Sequence, residues 1–190
     1  MIRTLLCTLA LGLSASVAYA QHHAPAQHHM PYAQIKDRAI KSLSDQQIAD
    51  LKAGRGMGLA LPAELNGYPG PLHVLELAEP MQLSAEQRQK TAGLLDRMKS
   101  EAIPLGEKLI ENEAALERLF SSRKITPASL GRMTQDIARL QGELRETHLK
   151  YHLAMMELLT PEQTTRYREL RGYLPASGSQ QQHQHHRRHH

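Results

Sequence analysis

The sequence predicts an all-α fold: a long, kinked antiparallel helical hairpin with short flanking helices, set between histidine-rich ends. Three observations carry this. Two central stretches keep an apolar 3-4 stride over many turns. Three capping boxes of one pattern mark helix starts, and no stretch alternates as a strand would.

Residues 1–20 are expected to be a cleavable signal peptide. A basic start, Met1-Ile2-Arg3, precedes an apolar run from Leu5 to Val17. Ala18-Tyr19-Ala20 then offers small residues at −3 and −1 of a cleavage site. Cys7, the only cysteine, lies inside that run. Its removal excludes thiolate metal sites and cysteine nucleophiles from the mature chain, and no disulfide is expected. Residues 21–34 and 175–190 are expected to be disordered tails, and they hold nine of the twelve histidines.

Between the tails the boxes are Leu43-Ser44-Asp45-Gln46-Gln47, Leu83-Ser84-Ala85-Glu86-Gln87 and Leu159-Thr160-Pro161-Glu162-Gln163. In each, the hydroxyl accepts from the N3 amide and the glutamine reaches back to the cap amide. Thr126-Pro127 marks another start, without the box. The first box opens a short helix over 45–53 that stops at Gly54. A Gly/Pro-rich segment follows to residue 71, with a short apolar stretch at Leu59–Leu65. A second short helix is expected over Leu72–Glu79.

The hairpin comes next. Leu95, Met98, Ala102, Leu105, Leu109, Asn112, Leu116 and Leu119 form one seam. Leu130, Met133, Ile137, Leu140, Leu144, Thr147, Tyr151, Ala154 and Leu158 form the other. Ser121–Thr126 joins them tightly. Pro104 should kink the first, since it lacks an amide hydrogen and clashes with the preceding turn. The last helix is expected over 161–172. The seams are thin, so a homodimer is expected.

With the export signal and the long hairpin, these boxes resemble the Spy/CpxP family of periplasmic chaperones, stress-response modulators, and heavy-metal-resistance and metal-sensor proteins. Thr160-Pro161-Glu162-Gln163 followed by Thr164-Thr165-Arg166-Tyr167 carries the closest match. The resemblance covers roughly 72–172, within a helical domain of 72–174; of the preceding short helix and Gly/Pro-rich segment over 35–71, it leaves 54–71 unassigned. It implies a four-helix, often dimeric, cradle-like fold in the periplasm, without catalysis.

The chemistry-bearing pattern is a stripe on the second long helix. His148, His152 and Met156 are spaced one turn apart, at about 40°, 80° and 120° from Leu144. An i, i+4 histidine pair is a bidentate platform, and a thioether suits copper or nickel. His73 and Glu76 are candidates to complete the site. The metal-sensor branch of the resembled family uses His, Glu and Met ligands in such a setting. The competing reading makes His148 and His152 boundary residues bonded to neighbouring helices.

The tails offer further ligands. Gln21-His22-His23, once amine-terminated, has the pattern of a square-planar Cu(II) or Ni(II) chelate, with His28 and His29 nearby. His183, His185, His186, His189 and His190 would collect ions more loosely. Zn, Cu or Ni are therefore the expected ions. Unfolded client proteins or a membrane sensor protein are the other partners considered.

Nucleic acid is not expected: 22 basic residues face 19 acidic ones once Arg3 is gone, and there is no Trp and one Phe for stacking. No zincin, nucleophile-elbow or Walker motif occurs, and Gly54-x-Gly56-x-Gly58 follows no strand, so an enzyme is not expected.

Overall fold

The computed structural model describes residues 32, 33 and 35–174. The chain divides into two units, residues 1–34 and 35–190, and the account below concerns the second. Its described residues form six helices: α1 Asp45–Lys52, α2 Leu61–Glu64, α3 Pro71–Glu76, α4 Ala85–Ser121, α5 Pro127–Leu158 and α6 Pro161–Leu170. No strand occurs among the described residues. The proposed signal peptide and both histidine-rich tails, apart from Tyr32 and Ala33, lie outside them.

The helix starts follow from their caps. Ser44, Ser84 and Thr160 each accept from the N3 amide, and Gln47, Gln87 and Gln163 each accept from the cap amide. Thr126 has a box as well, with Ser129 where the other three have glutamine. A serine at N3 is short, yet its hydroxyl still reaches the Thr126 amide at 3.0 Å.

Two of the glutamines do more than cap. Gln87 donates from Nε2 to Gln163 Oε1 at 2.8 Å, and Gln163 returns the bond to Gln87 Oε1 at 3.0 Å. Gln87 Nε2 also donates to the Leu158 carbonyl at 3.1 Å. This ring of amides ties the start of α4 to the end of α5 and the start of α6. Further along, Tyr151 donates its hydroxyl to Glu101 at 2.8 Å, and Lys150 pairs with the same carboxylate. Position 87 thus faces 158 and position 101 faces 151, so α4 and α5 run antiparallel.

Three apolar clusters fill the contact. Leu51 of α1 joins Ala102 and Leu109 of α4 and Ile137, Leu140 and Leu144 of α5. Leu95, Met98 and Tyr151 form the middle. Val74, Met81, Met155, Leu159 and Tyr167 close the end where α3 and α6 pack. Toward the α4–α5 turn the seam is shallow. Leu116, Leu119 and Met133 are only half-buried, while Phe120 and Leu130 are exposed.

Helix α1 can lie this close to α4 because residue 106 is glycine. A Cβ there would sit 2.6 Å from the Leu51 carbonyl oxygen. Gly106→Ala is therefore expected to destabilise the fold by about 1–3 kcal/mol through overpacking. Gly131→Ala, with nothing within 4 Å of the new Cβ, is expected to stabilise it by about 1 kcal/mol through helix propensity. Urea unfolding of both variants checks this; equal effects would mean that the contact at Gly106 is not limiting.

Candidate metal centre

The site begins with a change of face along α5. From Leu144 to Tyr151 the buried positions follow the apolar seam, but His148, His152 and Met155 are buried as well. On a helical wheel the buried arc runs from about −60° at Thr147 to about +80° at His152. One partner helix does not cover so wide an arc. The second partner is the Gly/Pro-rich segment, whose backbone lies on the two imidazoles. A Cβ on Gly56 would lie 3.3 Å from His148 Nδ1, and one on Gly70 would lie 2.9 Å from His152 Cε1. Glycine at both positions lets the main chain approach this closely.

His152 donates from Nδ1 to the Tyr68 carbonyl at 2.6 Å. That bond fixes the tautomer, so in the neutral ring the lone pair belongs to Nε2. His148 is 3 % exposed, and its Nε2 has no hydrogen-bond partner within the protein. Burial, and secondarily the neighbouring His152, hold its pKa below the usual 6.5.

Opposite the histidines stands Glu64, at the end of α2. It is the only charged side chain between residues 56 and 72, and it is 6 % exposed. Its Oε1 accepts from the Tyr167 hydroxyl at 2.5 Å, the Tyr173 hydroxyl at 3.0 Å and Arg171 Nε at 3.2 Å. Burial and the bond to Glu64 push the Tyr167 hydroxyl pKa far above its ordinary value. Glu64 Oε2 has no hydrogen-bond partner within the protein and lies 4.0 Å from His152 Nδ1.

Glu64, His148 and His152 line one cavity of about 230 Å³, together with His73, Met57 and Met98. Three of the five core-domain residues expected from sequence are thus brought together: His148, His152 and His73. Glu76 is not among the lining residues; it is more than half exposed and accepts from His73 Nδ1 at 2.9 Å. Met156 is exposed on the far side of the arc and does not line the cavity. The tail ligands His22, His23, His28, His29, His183, His185, His186, His189 and His190 lie outside the described residues.

The donor set fits a divalent ion in kind. Two buried polar atoms without protein partners, one imidazole nitrogen and one carboxylate oxygen, line a cavity that also contains a thioether. The fit is not that of a finished cage. No group of three or more His, Cys, Asp or Glu is gathered in metal-binding geometry among the described residues. Sequence reasoning missed Glu64 and the three side chains that hold it. The available signal was a lone charge in a stretch of glycine, proline and apolar residues.

No family model, no curated protein and no solved structure matches this chain.

The depressed pKa of His148 has a stability consequence. Unfolded chain binds this proton near pH 6.5, and folded chain binds it only at lower pH. Stability from this group is therefore fully present above that value and is lost as pH falls below it. In chelator-treated protein, unfolding free energy is expected to drop by up to about 1.4 kcal/mol per pH unit below 6.5 from this residue. His148→Gln should remove that part of the slope. Urea titrations at several pH values would test it, and an unchanged slope in the variant would exclude His148 as the source.

Proposed function

We propose that this is an exported metal-binding protein of the Spy/CpxP type, a kinked helical hairpin in the periplasm that serves heavy-metal resistance, metal sensing or the envelope stress response. The observation that carries the reading is the pair of buried, unpartnered atoms, His148 Nε2 and Glu64 Oε2, on one cavity. In this reading His148, His152 and Glu64 hold a Zn, Cu or Ni ion, with His73 and Met98 within the same walls. A bound ion would supply a partner to one imidazole nitrogen and one carboxylate oxygen that burial leaves without a hydrogen bond. The tail histidines would collect ions at lower affinity. A homodimer and a membrane sensor protein are the assembly and signalling partners that the resemblance suggests.

A second reading has its own support. Met57, Leu61, Leu65, Tyr68 and Leu72 are all exposed, and Glu64, the one charge in that segment, is turned inward. Such an uncharged apolar surface suits an ATP-independent chaperone that holds unfolded clients.

Calorimetric titration with Zn, Cu and Ni separates the two. Binding tighter than about 10 μM, roughly −7 kcal/mol, is expected for at least one ion. It should weaken in the His148→Ala/His152→Ala double variant. Weaker binding for all three ions would end the metal reading. The chaperone reading instead requires suppressed aggregation of a model client at equal molarity.

A further inference from the structure

We propose that Tyr167, Arg171 and Tyr173 are positioning residues for the ion site, so that ion binding in the cavity and docking of the C-terminal end of α6 reinforce each other. This rests on the metal reading above. Glu64 ends a helix of four residues, too short to orient a buried carboxylate by itself. Its orientation comes from chain more than a hundred residues away, where Tyr167, Arg171 and Tyr173 all donate to Oε1. With Oε1 saturated, Oε2 is the oxygen left for an ion. Tyr167 is itself fully buried, so its hydroxyl has no freedom to swing away.

The same contacts run in reverse. An ion on Oε2 holds Glu64 in place, and a fixed Glu64 holds the three donors. Coupling between two binding events is reciprocal by thermodynamic necessity. The start of α6 is anchored separately by the Gln87–Gln163 ring. The effect of the ion is therefore confined to the last turn of α6 and the residues after it. In the resting chain, the segment ending at Tyr173 leads directly into the C-terminal histidine-rich stretch, which gives an ion-dependent contact at the root of that stretch.

The test uses the full chain with glutamine in place of the nine tail histidines, titrated with Zn(II) alone. Affinity is expected to fall about 10-fold or more in Tyr167→Phe/Tyr173→Phe, the usual scale for losing groups that orient a metal ligand. Tyr173→Phe alone, at a half-buried position, should show a smaller fall and guards against misfolding of the double variant. Zn(II) should also slow amide hydrogen exchange at 167–173 in the parent, leave 160–163 unchanged, and have no such effect in Glu64→Gln. A merely structural role for the tyrosines would not produce that local, ion-dependent protection. Equal affinities in parent and variants, with unchanged exchange at 167–173, would overturn the coupling and leave the metal reading standing. A parent that binds Zn(II) no tighter than about 10 μM would overturn both.

Discussion

Where the Gly/Pro-rich segment lies depends on one buried carboxylate. The large apolar side chains of residues 57–72 mostly face outward, and of them Leu59 packs against the core that Leu51, Leu109 and Leu144 form, so little of the segment's hold is apolar. It meets the helices through backbone at Gly56 and Gly70, through the buried rings of Pro69 and Pro71, through the Tyr68 carbonyl and through Glu64. Burying a carboxylate without partners costs several kcal/mol. Glu64 avoids that only where Tyr167, Arg171 and Tyr173 converge on Oε1. This requirement selects one placement of the segment over the others open to a glycine-rich chain.

Those donors must in turn be fixed, and a ten-residue helix does not stand alone in water. Helix α6 is held at two points. Its cap glutamine is locked into the ring with Gln87, and Tyr167 is sealed among Val74, Met155 and Leu159. Arg171 and Tyr173 then project beyond the second anchor toward Glu64. The boxes that start the helices therefore also set the geometry of the cavity, because two of their glutamines bond each other across the bundle.

The helices other than α2 were legible in the sequence because their signals are local; α2, four residues with no side-chain cap, was read only as an apolar stretch. Leu-Ser-x-x-Gln writes a cap within five residues, and the 3-4 stride of Leu130 to Tyr151 repeats without reference to anything else. The face of His148 and His152 was harder to read. Their angle on the wheel was computable, but the stride assumes a single partner, and the partner that buries them is a segment with no periodicity. Met156, one turn further, carried the same pattern and fell outside the covered arc. Glu64 was illegible for a different reason: its donors lie more than a hundred residues away, and nothing in local sequence announces such a contact. The start at Thr126-Pro127 was legible, but its box was not, because a serine, not a glutamine, stands at its N3 position.

What remains is the cost of the two polar atoms on this cavity, His148 Nε2 and Glu64 Oε2, that the protein itself leaves without a hydrogen bond. Each buried, unpartnered group costs about 1–3 kcal/mol, against a total stability of only about 5–15 kcal/mol for a domain. Water and a cation would offset this differently. Water needs only polarity and space. A cation needs a charged oxygen and an imidazole already free of its proton, because a protonated ring must first give that proton up. Burial lowers the proton affinity of His148, and Glu64 Oε2, a carboxylate oxygen with no hydrogen-bond partner within the protein, stands on the same cavity. Both features favour a cation over a water molecule as the partner of these atoms, and both come from the same packing of residues 56–72 against α5 and α6.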